Sequence, residues 1–297
     1  MLIRQDLQPF LKYRATDASL NLAQDIARAM NIPFDKEAVR KQSGTLYDDM
    51  FADIVKVLGL DNEEIEFHSG IYYQTRAFAL QKDRGIPLVA LDMVFDHWVF
   101  SLTHLLSISA FSAPDPDEYS RITEDVSGLF KLFTNASVYE ATRERSAYYL
   151  HAYSDLINLS GALARAMVVF VLCHEIAHCT LGHLKKDASI KSEMEADTQA
   201  LHSFIKIMEH GAHNPQTSIH IDPKIICAPV ILTMILEFYE DWASRQLTEF
   251  NFSDHHPSAQ ERLQIAKSIL EPYYVDASKQ IVKGMEMAIA EMAEFLD

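Results

Sequence analysis

Residues 161–184 read GALARAMVVFVLCHEIAHCTLGHL and give the strongest structural signal in the chain. The first half of this stretch is apolar almost all round, which is typical of a helix buried on every side. His174 and His178 are four residues apart, so on a helix both imidazoles lie on one face and can bind one ion. Glu175 flanks that face and can reach a water on the metal. The sequence therefore predicts a buried metal site; the alternative is a pair of core histidines bonded to backbone carbonyls.

A third ligand is expected on the next helix, because a catalytic zinc has three protein ligands and one open position. Glu193 and Asp197 are four residues apart and share a face, which Ala196 and Ala200 keep small enough for close packing. We expect Glu193 to complete the ligand set and Asp197 to accept the free N–H of a zinc-bound histidine. Glu195 lies about 200° round the helix from Glu193 and is expected to be a solvated charge.

Three further residues lie close to the motif in sequence. If the helix continues to Leu184, His183 is about 140° round from His178 and should miss the metal. A structural or supporting role is therefore expected for His183. Cys173 and Cys179 adjoin the two histidines but face elsewhere, and we expect both to be small buried thiols. Whether any of the three contributes to the site stays open at this point.

A second polar segment, residues 254–263, reads DHHPSAQERL. His256 precedes a proline at a predicted helix start, and Arg262 follows about one and a half turns later. The two side chains are predicted to assist catalysis by stabilising the oxyanion of a tetrahedral intermediate. An ordinary helix N-terminus is the alternative interpretation.

Composition excludes several classes of protein. The chain has 26 Lys and Arg against 42 Asp and Glu, a net charge of −16, which disfavours nucleic-acid binding and adhesion to anionic membranes. Its 3 cysteines are too few for a disulfide framework and favour a reducing compartment. The longest uncharged stretch, 97–114, contains several polar residues and is expected to be a core helix, so no transmembrane segment is predicted.

The fold class predicted is mainly α (α+β), because 9 glycines in 297 residues leave few positions for left-handed turns. A Tyr-, Thr- and Phe-rich run over 71–80, a turn, and an apolar run over 86–91 predict one strand pair. Helices are predicted over most of the remaining chain. Their expected extents are 20–30, 47–58, 92–110, 161–184, 189–210 with Gly211 after the end, 222–247 with a kink near Pro229, 256–271 and 276–295.

Three regions are expected from these patterns. Residues 1–85 form an N-terminal helical region of unknown role, residues 86–270 hold the candidate site, and residues 271–297 form a C-terminal helix. The strand over 86–91 is expected to bind an extended substrate by edge pairing.

The three motifs together resemble a known group of enzymes. H-E-x-x-H at 174–178, E-x-x-x-D at 193–197 and His-Pro…Glu-Arg at 256–262 are similar to the series in zinc peptidases of the gluzincin type, such as the M48 peptidases. The chain resembles most the soluble Lit-type phage-exclusion peptidase family. That resemblance implies a zincin-like core, with a small β-hairpin or sheet beside the active-site helix and extra N- and C-terminal helices.

The same resemblance implies a function. It suggests a bacterial cytoplasmic zinc endopeptidase with one Zn²⁺ ion on His174, His178 and Glu193, and with Glu175 as the base. Relatives cut elongation factor Tu when a phage coat-protein segment activates them, so that host protein and a phage peptide are the implied partners. Two alternatives remain: a regulatory peptidase that cleaves a repressor or antitoxin, and a non-catalytic helical interaction protein stabilised by metal.

Overall fold

A computed structural model describes residues 24, 33, 35–38, 46–61, 64–70, 76–81, 85–133, 145, 148–185, 189–214, 219–247 and 257–296. Apart from residue 24, the predicted helix over 20–30 lies outside the described residues, and so does 71–75, the first half of the Tyr-, Thr- and Phe-rich run predicted over 71–80. Helices dominate the described part of the chain, and a small sheet accompanies them, which confirms the mainly-α fold class. The helices are α1 Leu46–Leu58, α2 Met93–Ser112, α3 Pro116–Phe130, α4 Ile157–Thr180, α5 Ile190–His213, α6 Ala228–Gln246, α7 Ala259–Leu270 and α8 Asp276–Phe295.

The sheet has three strands, β1 Glu66–Gly70, β2 Ala77–Gln81 and β3 Pro87–Asp92, in the order β1-β3-β2. The predicted pair is present as the antiparallel hairpin of β2 and β3, and β1 runs parallel to β3. The sequence did not predict β1, since its residues EFHSG offer a single large apolar side chain. The boundary expected between the regions 1–85 and 86–270 lies between β2 and β3, so hydrogen bonds of one sheet join residues on its two sides.

The central position of β3 overturns the expectation that the strand over 86–91 binds substrate by edge pairing. Both edges of β3 are already paired, one with β1 and the other with β2. An incoming peptide can hydrogen-bond only to a strand edge that carries free backbone groups. Among the described strands, β1 and β2 are at the edges of the sheet.

Helix α4 lies at the centre of the molecule. It packs against α5, α2, α6 and the strands β2 and β3. Its side chains are buried on several sides, as its apolar sequence predicted; Leu163, Met167, Val168, Val169 and Leu172 are fully enclosed. By length and composition, the stretch Ser154–Thr180 could also cross a membrane, but over half of its most apolar 18-residue window is buried within the protein. The contacts of α4 are those of a core helix.

Two predicted helix features are wrong, and each has a local cause. Gly211 does not follow the end of α5 but lies inside it, where its missing side chain lets the backbone of His220 approach closely. Pro229 causes no kink, because it lies in the first turn of α6, where no intrahelical N–H is needed. Asp222 does cap a turn, but that turn is the short 3₁₀ segment Pro223–Ile225, before α6.

Candidate metal centre

The three predicted ligands come together between α4 and α5. The Nε2 atoms of His174 and His178 are 3.0 Å apart. Glu193 directs one carboxylate oxygen to within 3.4 Å of Nε2 of His174 and the other to within 3.4 Å of Nε2 of His178. These three residues are the group that could hold a metal ion among the residues the structure describes.

Local sequence explains why Glu193 reaches the histidines. Helix α5 starts with a capping box in which the side chains of Ser189 and Ser192 bond to each other's backbone N–H groups, which puts Glu193 in the first turn. Ala196 and Ala200 are fully buried on the same face and allow α5 to pack closely on α4. The capping residues and the alanines therefore set where the carboxylate of Glu193 lies.

The donor set and its spacing fit a zinc ion. Zinc in proteins prefers nitrogen, sulfur and carboxylate ligands, and two histidines with one glutamate form a known catalytic set. Ligand atoms placed about 2.0–2.1 Å from a tetrahedral ion are about 3.3 Å from each other. The distances of 3.0, 3.4 and 3.4 Å match that spacing.

Asp197 lies behind His174, one helical turn after Glu193. Its Oδ1 is 2.9 Å from Nδ1 of His174, so the Nε2 of that ring is left facing Glu193. Arg262, on α7, donates to both oxygens of Asp197, from Nε at 2.7 Å and from a terminal nitrogen at 2.6 Å. A bidentate pair of this kind fixes the orientation of the carboxylate as well as its charge.

The pKa values of His174 and Asp197 follow from their burial and from the charges around them. Burial opposes the charged form of His174, but Asp197, Glu193 and Glu175 outweigh burial and raise the pKa of His174 to about 10. Burial would raise the pKa of Asp197, but Arg262 and His174 outweigh it and lower that pKa. Asp197 is therefore a carboxylate at neutral pH and can accept a hydrogen bond from the ring in front of it.

Glu175 lies beside the ligands, next to the sheet. Burial raises the pKa of its carboxyl group and the charge of Glu193 adds to this, whereas His174, His178 and a hydrogen bond from the backbone of Ala79 in β2 lower it. The net effect is a raised pKa, which is the direction expected of a general base or acid that works near neutral pH. Sequence reasoning did not anticipate the contact between Glu175 and β2.

His183 is closer to the site than helical geometry predicted. Helix α4 ends at Thr180, and Gly182 adopts a φ of 72°, which turns the chain back and starts the 3₁₀ segment His183–Lys185. Nδ1 of His183 is consequently 3.2 Å from Nδ1 of His178, and its Nε2 is 3.2 Å from Oε2 of Glu195. Glu195 is exposed, as expected, but it has this partner. The Gly182 that follows the helix was the signal in the sequence that could have revealed the turn.

The remaining predicted residues have mixed outcomes. Cys173 is buried and Cys179 is partly buried; burial raises the pKa of both thiols, to about 12 for Cys179, which is typical of unreactive core cysteines. His256 lies outside the described residues. Arg262 is engaged with Asp197, and its predicted role at an oxyanion stays a prediction.

The sequence of this chain matches one protein-family model. The family model described as Peptidase U49 matches residues 111–281 of the chain, a range that contains the H-E-x-x-H motif, Glu193, Asp197 and Arg262. No curated protein and no solved structure gives a significant match. Because the matched range is more than half of the 297 residues, the chain belongs to the Peptidase U49 family.

Proposed function

We propose that this protein is a zinc-dependent endopeptidase whose ion is held by His174, His178 and Glu193. The observation that carries the proposal is the convergence of two ring nitrogens and one carboxylate at 3.0 to 3.4 Å, in a buried place between two helices. Family membership supports peptide-bond hydrolysis. The ligand count leaves one position of a four-coordinate ion for water or substrate.

Glu175 is the residue that moves the proton. Zinc bound at this site supplies Lewis-acid polarisation of the scissile carbonyl and of the attacking water. The Glu175 carboxylate would take a proton from that water and pass it to the nitrogen of the leaving amine. The hydrogen bond from the backbone of Ala79 would hold the carboxylate beside the ligands.

Asp197 and Arg262 set the orientation of His174 and the tautomer it adopts once its ring is neutral. The Asp197 carboxylate, 2.9 Å from Nδ1, favours the tautomer of the neutral ring with its proton on Nδ1, which leaves the lone pair of Nε2 facing the ligand site. Arg262 neutralises Asp197 and holds it in position through two hydrogen bonds.

The outer edge of β2 is the surface we propose for an extended substrate. β2 is an edge strand among those described and packs on α4, and its Ala79 contacts Glu175. A peptide that adds as a further strand there would run past the general base. This assignment replaces β3, whose edges are both occupied.

The resemblance to Lit-type peptidases supports a specific host target. On that basis we propose that the protein acts in the bacterial cytoplasm, cuts elongation factor Tu and responds to a phage coat-protein segment, as part of phage exclusion. The shared motifs are those of the hydrolytic centre, so they support the reaction more directly than they support the substrate.

The test is incubation of the zinc-loaded protein with purified elongation factor Tu and with a bacterial lysate, each with and without a coat-protein peptide. We expect one new pair of fragments from elongation factor Tu, dependent on the peptide and absent with the Glu175→Gln variant. Fragments from a repressor or antitoxin instead would identify a regulatory peptidase. No fragments under any condition would contradict the enzyme assignment and favour a metal-stabilised interaction protein.

A further inference from the structure

The geometry points to His183 as the residue that fixes the tautomer of His178, with Glu195 holding His183 in turn. This inference rests on the proposed zinc site and concerns a part of it that the motif does not include. His174 has Asp197 behind it, and His178 needs an equivalent partner, because a metal-binding ring with a free N–H is otherwise able to carry its proton on the wrong nitrogen.

The contact between the two rings permits one arrangement of protons when His178 binds metal. Binding through Nε2 requires the lone pair on that atom, so the proton of the neutral His178 ring is on Nδ1. The nearest ring atom is Nδ1 of His183, at 3.2 Å, and it can accept that proton only through its own lone pair. The proton of His183 is then on Nε2.

Glu195 completes a hydrogen-bonded row made of Glu195, His183 and His178. Nε2 of His183 is 3.2 Å from Oε2 of Glu195, so the N–H required by the previous step has a carboxylate to donate to. The row therefore runs from the Glu195 carboxylate through His183 to His178 with every donor facing an acceptor. His183 is itself buried, so both of its ring nitrogens need partners, and the row supplies them.

The two ligand histidines are thus held by different means. His174 is backed by a carboxylate that is paired with Arg262, whereas His178 is backed by a neutral imidazole whose own carboxylate is about half exposed to solvent. Asp197 acts on His174 directly, and Glu195 acts on His178 through His183. His183 is a positioning residue on this account, since it touches a ligand and not the reacting atoms.

A matched pair of variants separates hydrogen bonding from shape. Asparagine puts its side-chain oxygen where Nδ1 of His183 lies, and leucine has the same branching with no acceptor. We expect His183→Leu to weaken zinc affinity by about 10–100-fold in a chelator competition titration. His183→Asn should recover most of that loss. His202→Leu, at an exposed position of α5, is the control and should bind zinc as the parent does.

Two variants test the outer member of the row. Glu195→Ala should weaken zinc binding, although less than His183→Leu does, because water can replace an exposed carboxylate. Lys191→Ala removes a charged neighbour of Glu195, at 3.7 Å, and should leave zinc affinity unchanged. Equal affinities for Glu195→Ala and Lys191→Ala would remove Glu195 from the row.

A direct reading of the protons does not depend on any variant folding. In the zinc-loaded parent labelled with ¹⁵N-histidine, we expect His178 to be protonated on Nδ1 and His183 on Nε2. A proton on Nδ1 of His183, or equal zinc affinity for His183→Leu and the parent, would overturn the inference while the zinc site stands. A parent that binds no zinc would overturn the proposed function itself, and the inference with it.

Discussion

At the scale of single residues, Glu175 and Glu193 are carboxylates beside the same two imidazoles, but their surroundings differ. Glu193 has an oxygen 3.4 Å from each ligand nitrogen, which is the position of a metal ligand. Glu175 instead takes a hydrogen bond from the sheet and keeps a raised pKa. The first arrangement favours binding and the second favours proton transfer.

Replacement of Glu175 should therefore abolish turnover without releasing zinc. Glu175→Gln keeps the size of the side chain but cannot take a proton, and general acid–base catalysis is worth about 10²–10⁴-fold in rate. The measurement is the cleavage rate together with the zinc content of the same preparation. Glu193→Gln is the contrasting variant and should lose zinc as well as activity. A Glu175→Gln protein that cleaves at the parent rate would remove Glu175 from its role.

Replacement of Asp197 should affect both the metal and the fold. Asp197→Asn removes the charge that holds His174 and leaves the partly buried Arg262 without its carboxylate. We expect zinc affinity or activity to fall by about 10–100-fold and the free energy of unfolding to fall as well, since a partly buried charge is costly once its partner is lost. Chelator competition and chemical denaturation measure the two effects, and parent-like values in both would contradict the assignment.

At the scale of elements, the site depends on where α4 stops. His174 and His178 were predictable because the spacing of four residues is a property of any helix. The place of His183 was not, because it depends on the left-handed turn at Gly182, which a continuous helix over 161–184 omits. Gly211 and Pro229 show the same difficulty, because glycine and proline often mark the end of a helix. Gly211 nevertheless lies inside α5, where the backbone of His220 packs closely against it, and Pro229 lies inside α6, in its first turn.

The turn after α4 gives a prediction with a matched control. Gly182→Ala should lower the free energy of unfolding by about 1–2 kcal/mol, because a side chain disfavours positive φ, although the space around Gly182 is open. It should also weaken zinc binding by displacing His183. Gly161→Ala, in the helical part of α4, meets only an ordinary contact with Phe100 and should raise that free energy by about 0.5–1 kcal/mol. Thermal and denaturant unfolding of the two variants would test the contrast, and a loss of stability in both would contradict it.

At the scale of the whole molecule, the proposed metal site lies between two helices that already share a large apolar core. The ligands come from α4 and α5, whereas the core of α4 is formed by residues that do not touch the site. Much of this arrangement could be predicted from the sequence, since the apolar run of α4, the H-E-x-x-H motif and the helix that carries Glu193 and Asp197 are each local patterns. The strand β1 and the edge position of β2 were not, because strand order depends on contacts between distant segments.

Metal removal should accordingly stop catalysis without unfolding the protein. Zinc that binds only the native state adds about 4 kcal/mol when its concentration is 1,000 times the dissociation constant. We expect a chelator to abolish cleavage, to lower the melting temperature and to leave the helical content unchanged at 25 °C, with restoration on addition of zinc. Circular dichroism and a cleavage assay on one sample measure all three. Global unfolding on chelation would indicate a structural metal instead.

The most direct measurement of the central claim is a crystal structure of the zinc-loaded protein with anomalous data collected at the zinc edge. The account predicts one peak at about 2.0–2.2 Å from Nε2 of His174, Nε2 of His178 and a carboxylate oxygen of Glu193, with no fourth protein ligand. A peak elsewhere, no peak at all, or a fourth side chain on the ion would contradict it.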